Sequence, residues 1–312
     1  MTNASDSRPG TGWLLAALGV QAAIGASMVP LRYLQAVAGL PGLAVIALTD
    51  LTAFSIMSWQ VLPKIDRRFW RSKTLWAMVA IVIVRTALLT FATRLTKVYT
   101  IQLINLLAPF LVVLLNRIFV RKPLPRFTLP AISVSLVGGA MMIFGGLVDQ
   151  PLDLLLTPED GLGMGLAFLA TFGIAGYMMI VKRGEEIGLP FEIVYISQIG
   201  SLTVLMGGLS LITGEDWSAF QQVDWRAILA FFTIAIGVEI GIKIGNITTL
   251  RKLGAPLVSS MLAIRLVAAL IFGWVIMGER LTSILQWVGA ALVVGAVTWF
   301  LVNQRTNQPA MR

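Results

Sequence analysis

The chain has 312 residues, 57% of them hydrophobic and only 12% charged, with a net charge of +9 and neither cysteine nor histidine. A soluble domain carries about 25% charged residues, so lipid, not water, must solvate the outside of this fold. The missing cysteines and histidines exclude disulfides, Cys/His zinc sites and histidine-based triads. The excess of basic residues sits in short loops and forms no stripe with interleaved aromatics, so no nucleic-acid partner is expected.

Residues 1–10 are polar and hold Asp6 and Arg8. The first apolar run follows without a small-residue cleavage site and is read as a retained helix. A crossing helix needs about 20 apolar residues. Ten runs come close, at 12–31, 42–62, 74–95, 100–119, 127–148, 161–181, 191–213, 225–247, 255–277 and 284–302. Trp13, Trp59, Trp76, Trp225, Trp287 and Trp299 lie near run ends, as in an interfacial belt.

Loop charge sets the orientation. Lys64, Arg67, Arg68, Arg71 and Lys73 follow the second run, and Arg121, Lys122 and Arg126 follow the fourth. Lys182 and Arg183 follow the sixth, and Arg251 and Lys252 the eighth. The opposite side carries Asp149, Asp153, Glu159 and Asp160, then Glu215, Asp216 and Asp224, with Arg94 and Lys97 against the trend. The positive-inside rule makes the basic side and both termini cytoplasmic, in a multi-pass protein of the cytoplasmic membrane.

The two halves match in order: Leu15 with Leu166, Ala16 with Ala167, Leu18 with Leu169, Gly25 with Gly176, Met28 with Met179, Arg32 with Arg183. Further on, Leu124 meets Leu281 and Gly138 meets Gly295. A five-helix unit repeated once starts its second copy on the opposite face, giving an inverted repeat. The expected fold is an all-α polytopic membrane protein of ten transmembrane helices in two inverted five-helix repeats. It divides into a tail (1–11), a first repeat (12–148), a periplasmic linker (149–160), a second repeat (161–302) and a C-terminal tail (303–312).

The segment 106–124 reads LLAPFLVVLLNRIFVRKPL, and its counterpart 262–281 reads LAIRLVAALIFGWVIMGERL. With Gly278-Glu279-Arg280-Leu281 ending the second, the chain resembles the ten-helix EamA-type branch of the drug/metabolite transporter superfamily. It departs from that pattern at Lys122-Pro123, where an acidic residue is expected, and at Ile264-Arg265-Leu266, where a proline is expected. The resemblance implies a central cavity lined by helices one to four and six to nine, with five and ten peripheral. It also implies transport, with export as the direction.

Five charges fall inside the runs: Asp50, Arg85, Glu239, Lys243 and Arg265. Facing lipid they would cost roughly 2.5–3.5 kcal/mol each, so they must face a wet cavity, one another, or both. Counting along the runs puts Arg85, Glu239 and Arg265 near mid-membrane, Asp50 nearer the periplasmic end and Lys243 nearer the cytoplasmic end. Glu239, Lys243 and Asn246 share one helical face. They are read either as a self-neutralising pair or as a cavity-lining face. Arg85 and Arg265 have no acidic neighbour in their own runs and are either staples to Asp50 and Glu239 or ligands for an anion. Gln102, Asn105, Pro109 and Asn116 form a polar line in the fourth run, as substrate contacts or as interhelical glue. Pro109 marks a bend or gate. Gln21, Gly25, Tyr177, Tyr195 and Gln198 are weaker cavity candidates, and Gly25 and Gly176 read as close-packing positions.

The expected function is secondary transport of a small polar metabolite, an amino acid or an organic anion, by alternating access. Glu239 or Asp50 would be the coupling group. No cofactor and no metal are expected. The expected partners are a small-molecule substrate and the lipid bilayer, with a homodimer left open. The alternative is a non-transporting membrane assembly or sensor subunit. An intramembrane enzyme lacks the histidine, cysteine or aspartate pair it would need, and no phosphate-cradling loop for ATP is present.

Overall fold

A computed structural model of the chain describes residues 11–119, 128–145, 158–253, 258, 261, 263–278 and 281–306. Lys122-Pro123, Glu279-Arg280, most of the 149–160 linker, the extremities of both tails and the start of the ninth run lie outside the described residues. Among the described residues the regular structure is all helical, with no strand. The helices are α1 (Thr11–Arg32), α2 (Gly42–Val61), α3 (Lys73–Leu95), α4 (Val98–Asn105), α5 (Ala108–Phe119) and α6 (Thr128–Gly145). They continue with α7 (Pro158–Glu186), α8 (Phe191–Ile212), α9 (Trp225–Phe232), α10 (Lys243–Leu253), α11 (Ala263–Met277) and α12 (Ile284–Thr306). Seven stretches are long and apolar enough to cross a membrane, and Pro130–Met142, Ile264–Met277 and Ile284–Trp299 are shorter apolar helices. The chain is a multi-pass membrane protein.

Two of the runs are not plain helices. The fourth run breaks between α4 and α5. Pro109 has no N–H to offer the Asn105 carbonyl, and its ring clashes with a carbonyl four residues back. The chain therefore stops at Asn105 and restarts at Ala108, where a proline near the first position is tolerated. The eighth run holds a ten-residue π-helical stretch, Thr233–Ile242, between α9 and α10. Wider i→i+5 winding carries the chain less far per residue than an α-helix. Lys243 follows this stretch directly, and its side chain reaches Asp50 on α2. A shorter π stretch, Tyr33–Val37, extends α1 just after Pro30.

The packing partners come in interchangeable sets. Helix α6 packs on α12, and α2 on α8. Helix α1 packs on α11, while α7 packs on α4 and α5. Helix α3 packs on α7, while α10 and the π stretch pack on α1. The π stretch also meets α2, while α3 meets α8. Replacing each run by the one five places on maps every pair in this set onto a pair in the set. The third run packs mainly on α7 and α8, and the eighth on α1 and α2. Backbones touch where glycines allow it. Gly138 and Gly289 bring α6 and α12 together, with a Cβ on Gly138 coming within 2.8 Å of the Gly289 carbonyl oxygen.

The turn after α8 is tied to the start of α2. Glu215 accepts the Leu43 and Ala44 N–H groups at 3.1 and 2.9 Å, and Ser210 Oγ donates to it at 2.6 Å. Helix α2 follows Pro41 and lacks a side-chain cap of its own, so a remote carboxylate satisfies its first donors and faces its positive end. Glu215→Ala is expected to lower stability by about 1–2 kcal/mol, read as a lower melting temperature in detergent with an unchanged elution volume.

Candidate functional site

Helices α2 and α10 and the π stretch bring three charges together. Lys243 Nζ donates to Asp50 Oδ1 at 2.9 Å and forms an ion pair with Glu239 one turn earlier. Asp50 is 0% exposed and Glu239 6%. The lysine therefore answers two buried carboxylates, one on its own helix and one across the α2 interface. Glu239 and Lys243 are not a self-contained pair. Asp50 Oδ2 has no hydrogen-bond partner. Tyr195 OH donates to the Glu239 backbone carbonyl at 3.0 Å, tying α8 to the π stretch.

The two arginines are placed differently from staples. Both carboxylates go to Lys243, and among the described residues neither Arg85 nor Arg265 makes a salt bridge. The Arg85 guanidinium stacks 5.4 Å above the Tyr177 ring, a cation–π distance, and its Nε is buried without a partner. Tyr177 OH accepts from Gln198 Nε2 at 3.3 Å, which fixes the ring beneath the cation. Arg265 is buried and donates from Nε to Gln21 Oε1 at 2.6 Å. Gln21 Nε2 in turn donates to Asn246 Oδ1 at 3.2 Å. This relay joins α11, α1 and α10.

Small residues let the backbones close in at both arginines. A Cβ at Gly25 would collide with the backbone of Arg265, and one at Gly173 would reach 2.9 Å from Arg85 Cβ. Gly25 is the close-packing position expected from sequence. Gly176 is not, because a Cβ there meets only Ile81 at an ordinary 3.7 Å. The glycine of α7 that is tight against Arg85 sits one turn earlier, at Gly173.

The polar line of the fourth run is split by the break, with Gln102 and Asn105 on α4 and Pro109 and Asn116 on α5. Gln102 is 1% exposed, and neither atom of its amide has a partner. Asn105 Oδ1 accepts from Thr171 Oγ1 at 3.2 Å across the α4–α7 contact. Pro109 is buried just past the break, and the Asn116 side chain lies outside the described residues. Thr171 was not singled out from sequence, since a lone threonine in an apolar run also bonds its own backbone, as this one does to Ala167. Asp50, Glu239 and Lys243 thus form one charged cluster, and Arg265, Gln21 and Asn246 a hydrogen-bonded relay. Arg85, Tyr177 and Gln198 form a third group. Gln102 and Asn105 flank the broken helix.

Residues 161–302 match the EamA-like transporter family. The chain is 27% identical over 259 residues to an uncharacterized transporter of Synechocystis sp. (strain ATCC 27184 / PCC 6803 / Kazusa), covering 80% of this chain and 71% of that relative. A solved crystal structure of another protein shares the fold, with a TM-score of 0.62 and 18% identity over 96% of this chain and 98% of that one. The matching family and the relative are both described as transporters.

Proposed function

We propose that this chain, an EamA-type member of the drug/metabolite transporter superfamily, is a secondary transporter of a small polar metabolite bearing an anionic group. An amino acid or an organic anion fits, moved by alternating access through the central charged site, with export as the direction. The observation that carries this reading is the pair of guanidiniums. Arg85 and Arg265 are held at the bundle centre while the two carboxylates are taken by Lys243. Three basic and two acidic groups leave the centre with one positive charge in excess, and an anion neutralises it. A guanidinium stays charged where desolvation would neutralise a lysine, and it can hold a carboxylate with two parallel hydrogen bonds.

The interchangeable packing pairs support two inverted five-helix halves, of which residues 161–302 are one. The broken fourth run and the π stretch in the eighth are the irregular elements, and both carry site residues. Broken helices at a central site are the usual hinge points of inverted-repeat carriers. Asp50 and Glu239 are the groups available for coupling, since one lysine serves both.

Uptake of a panel of labelled amino acids and organic acids into proteoliposomes tests this function. Saturable uptake of at least one anionic or zwitterionic compound is expected. A panel with no saturable uptake, from protein that is monodisperse and folded, would count against transport. The orientation has its own test, made simple by the lack of cysteines. A single cysteine at exposed Ser218 should react with a membrane-impermeant thiol reagent in intact cells, and one at exposed Glu186 should react only after lysis. The reverse pattern would place the termini outside.

A further inference from the structure

A cleft of ≈ 280 Å³ lies on the outer face of the α2–α8 pair, away from the central charges. Its walls are Phe54, Ile196, Val204 and Leu205, its floor includes Ser197, Gly200 and Ser201, and Trp70 stands at its mouth. Three observations show what it is shaped for. First, it runs along the membrane depth. From Ile196 to Leu205 its lining extends about 14 Å along α8 at the helical rise, parallel to the course of an acyl chain. Second, a polar group is buried in it. Ser197 is 3% exposed, and its hydroxyl has no hydrogen-bond partner. Third, the mouth is basic. Trp70 belongs to the short 3-10 helix Arg67–Arg71 between α2 and α3, where Arg71 and Lys73 are exposed. Arg68 is also exposed and pairs with Asp66 only across solvent, at 2.9 Å with 74% and 53% of the side chains accessible. Such a surface pair adds little and leaves the guanidinium available. Trp76 Nε1 donates to the Trp70 carbonyl at 2.8 Å and holds this segment against the helix ends.

We propose that this cleft is a binding site for one anionic phospholipid. One acyl chain lies between Phe54, Gly200 and Val204, the Ser197 hydroxyl donates to an ester carbonyl, and the phosphate sits among Arg68, Arg71 and Lys73. Gly200 keeps the groove open, because a Cβ there would come within 3.1 Å of the Phe54 ring. The bound lipid touches the transport site at second hand. Ile196 lines the cleft beside Tyr195, whose hydroxyl holds the Glu239 carbonyl. Occupancy therefore steadies the π stretch that carries Glu239.

Native mass spectrometry of the detergent-purified full chain, titrated with phosphatidylglycerol and with phosphatidylcholine of the same acyl composition, tests the site. The wild type is expected to bind one phosphatidylglycerol roughly a hundredfold more tightly than phosphatidylcholine, at about fivefold for each of the three surface cations. Arg68→Gln combined with Arg71→Gln should cut that preference to about fivefold, the share of Lys73. Gly200→Leu should weaken both lipids by filling the groove, and Ser201→Leu does the same if the Gly200 variant fails to fold. Equal binding of the two lipids by the wild type would overturn the proposal. So would wild-type phosphatidylglycerol binding in a groove-filled variant of unchanged melting temperature, or a dimer mass that disappears when the groove is filled.

Discussion

Lys243→Met is expected to be the most destabilising single change at the site, by about 3–5 kcal/mol. The lysine is the one cation that meets both Asp50 and Glu239, and both carboxylates are almost wholly withdrawn from solvent. Methionine keeps the length and apolar stem of the side chain but leaves two buried anions facing each other. Such a loss reflects the uncompensated charges more than the worth of the pair, so it should be strongly non-additive. Combining Lys243→Met with Asp50→Asn should recover much of the lost melting temperature, whereas independent contributions would add. Additive losses in the double mutant would mean that the three groups are not one network.

Gly25→Ala should cost both stability and transport, out of proportion to one methyl group. The added Cβ would overlap the Arg265 carbonyl and Cα, which are backbone atoms and cannot rotate away. Helices α1 and α11 must then separate, at about 1–3 kcal/mol for an overpacked contact. The Arg265–Gln21 hydrogen bond spans the same interface and is stretched with it. Gly19→Ala, two turns earlier in α1, is the control. Its Cβ would meet nothing within 4 Å, and alanine is the better helix former by up to about 1 kcal/mol. Melting temperature and proteoliposome flux should fall together for Gly25→Ala, and neither should fall for Gly19→Ala. A Gly25→Ala protein with normal flux would show that the α1–α11 contact does not set the site.

Helix positions and the set of central charges were legible in the sequence because both follow from one-dimensional rules. Apolar runs near twenty residues mark spans, and a charge inside a run must find a partner or water. Asp50, Lys243 and Glu239 find one another, as that reasoning requires of buried charges. The choice of partners was not legible. Arg85 finds the Tyr177 face instead of Glu239, because the ring is brought to it by the α3–α7 contact at Gly173, which no local pattern marks. Glycines at 173 and 176 look alike in sequence, and only the crossing point of the two helices distinguishes them. The π stretch was not legible because periodicity counting assumes α winding, and Thr233–Ile242 departs from it without a proline. The role of Glu215 was hidden for a similar reason. Its partners Leu43 and Ala44 are backbone donors far away in the chain, and backbone donors leave no trace in side-chain identity.

The arginines carry the account's central claim, and substituting each of them tests it most directly. Arg85→Gln and Arg265→Gln would each be purified, their melting temperatures measured in detergent, and their flux of the transported anion measured in proteoliposomes beside the wild type. Glutamine keeps a polar amide and removes the fixed charge together with the five-donor fork of the guanidinium. Loss of flux of one to several orders of magnitude, with melting temperatures within a few degrees of wild type, is the predicted result. Normal flux in both variants at unchanged melting temperature would contradict the assignment of the guanidiniums to the substrate.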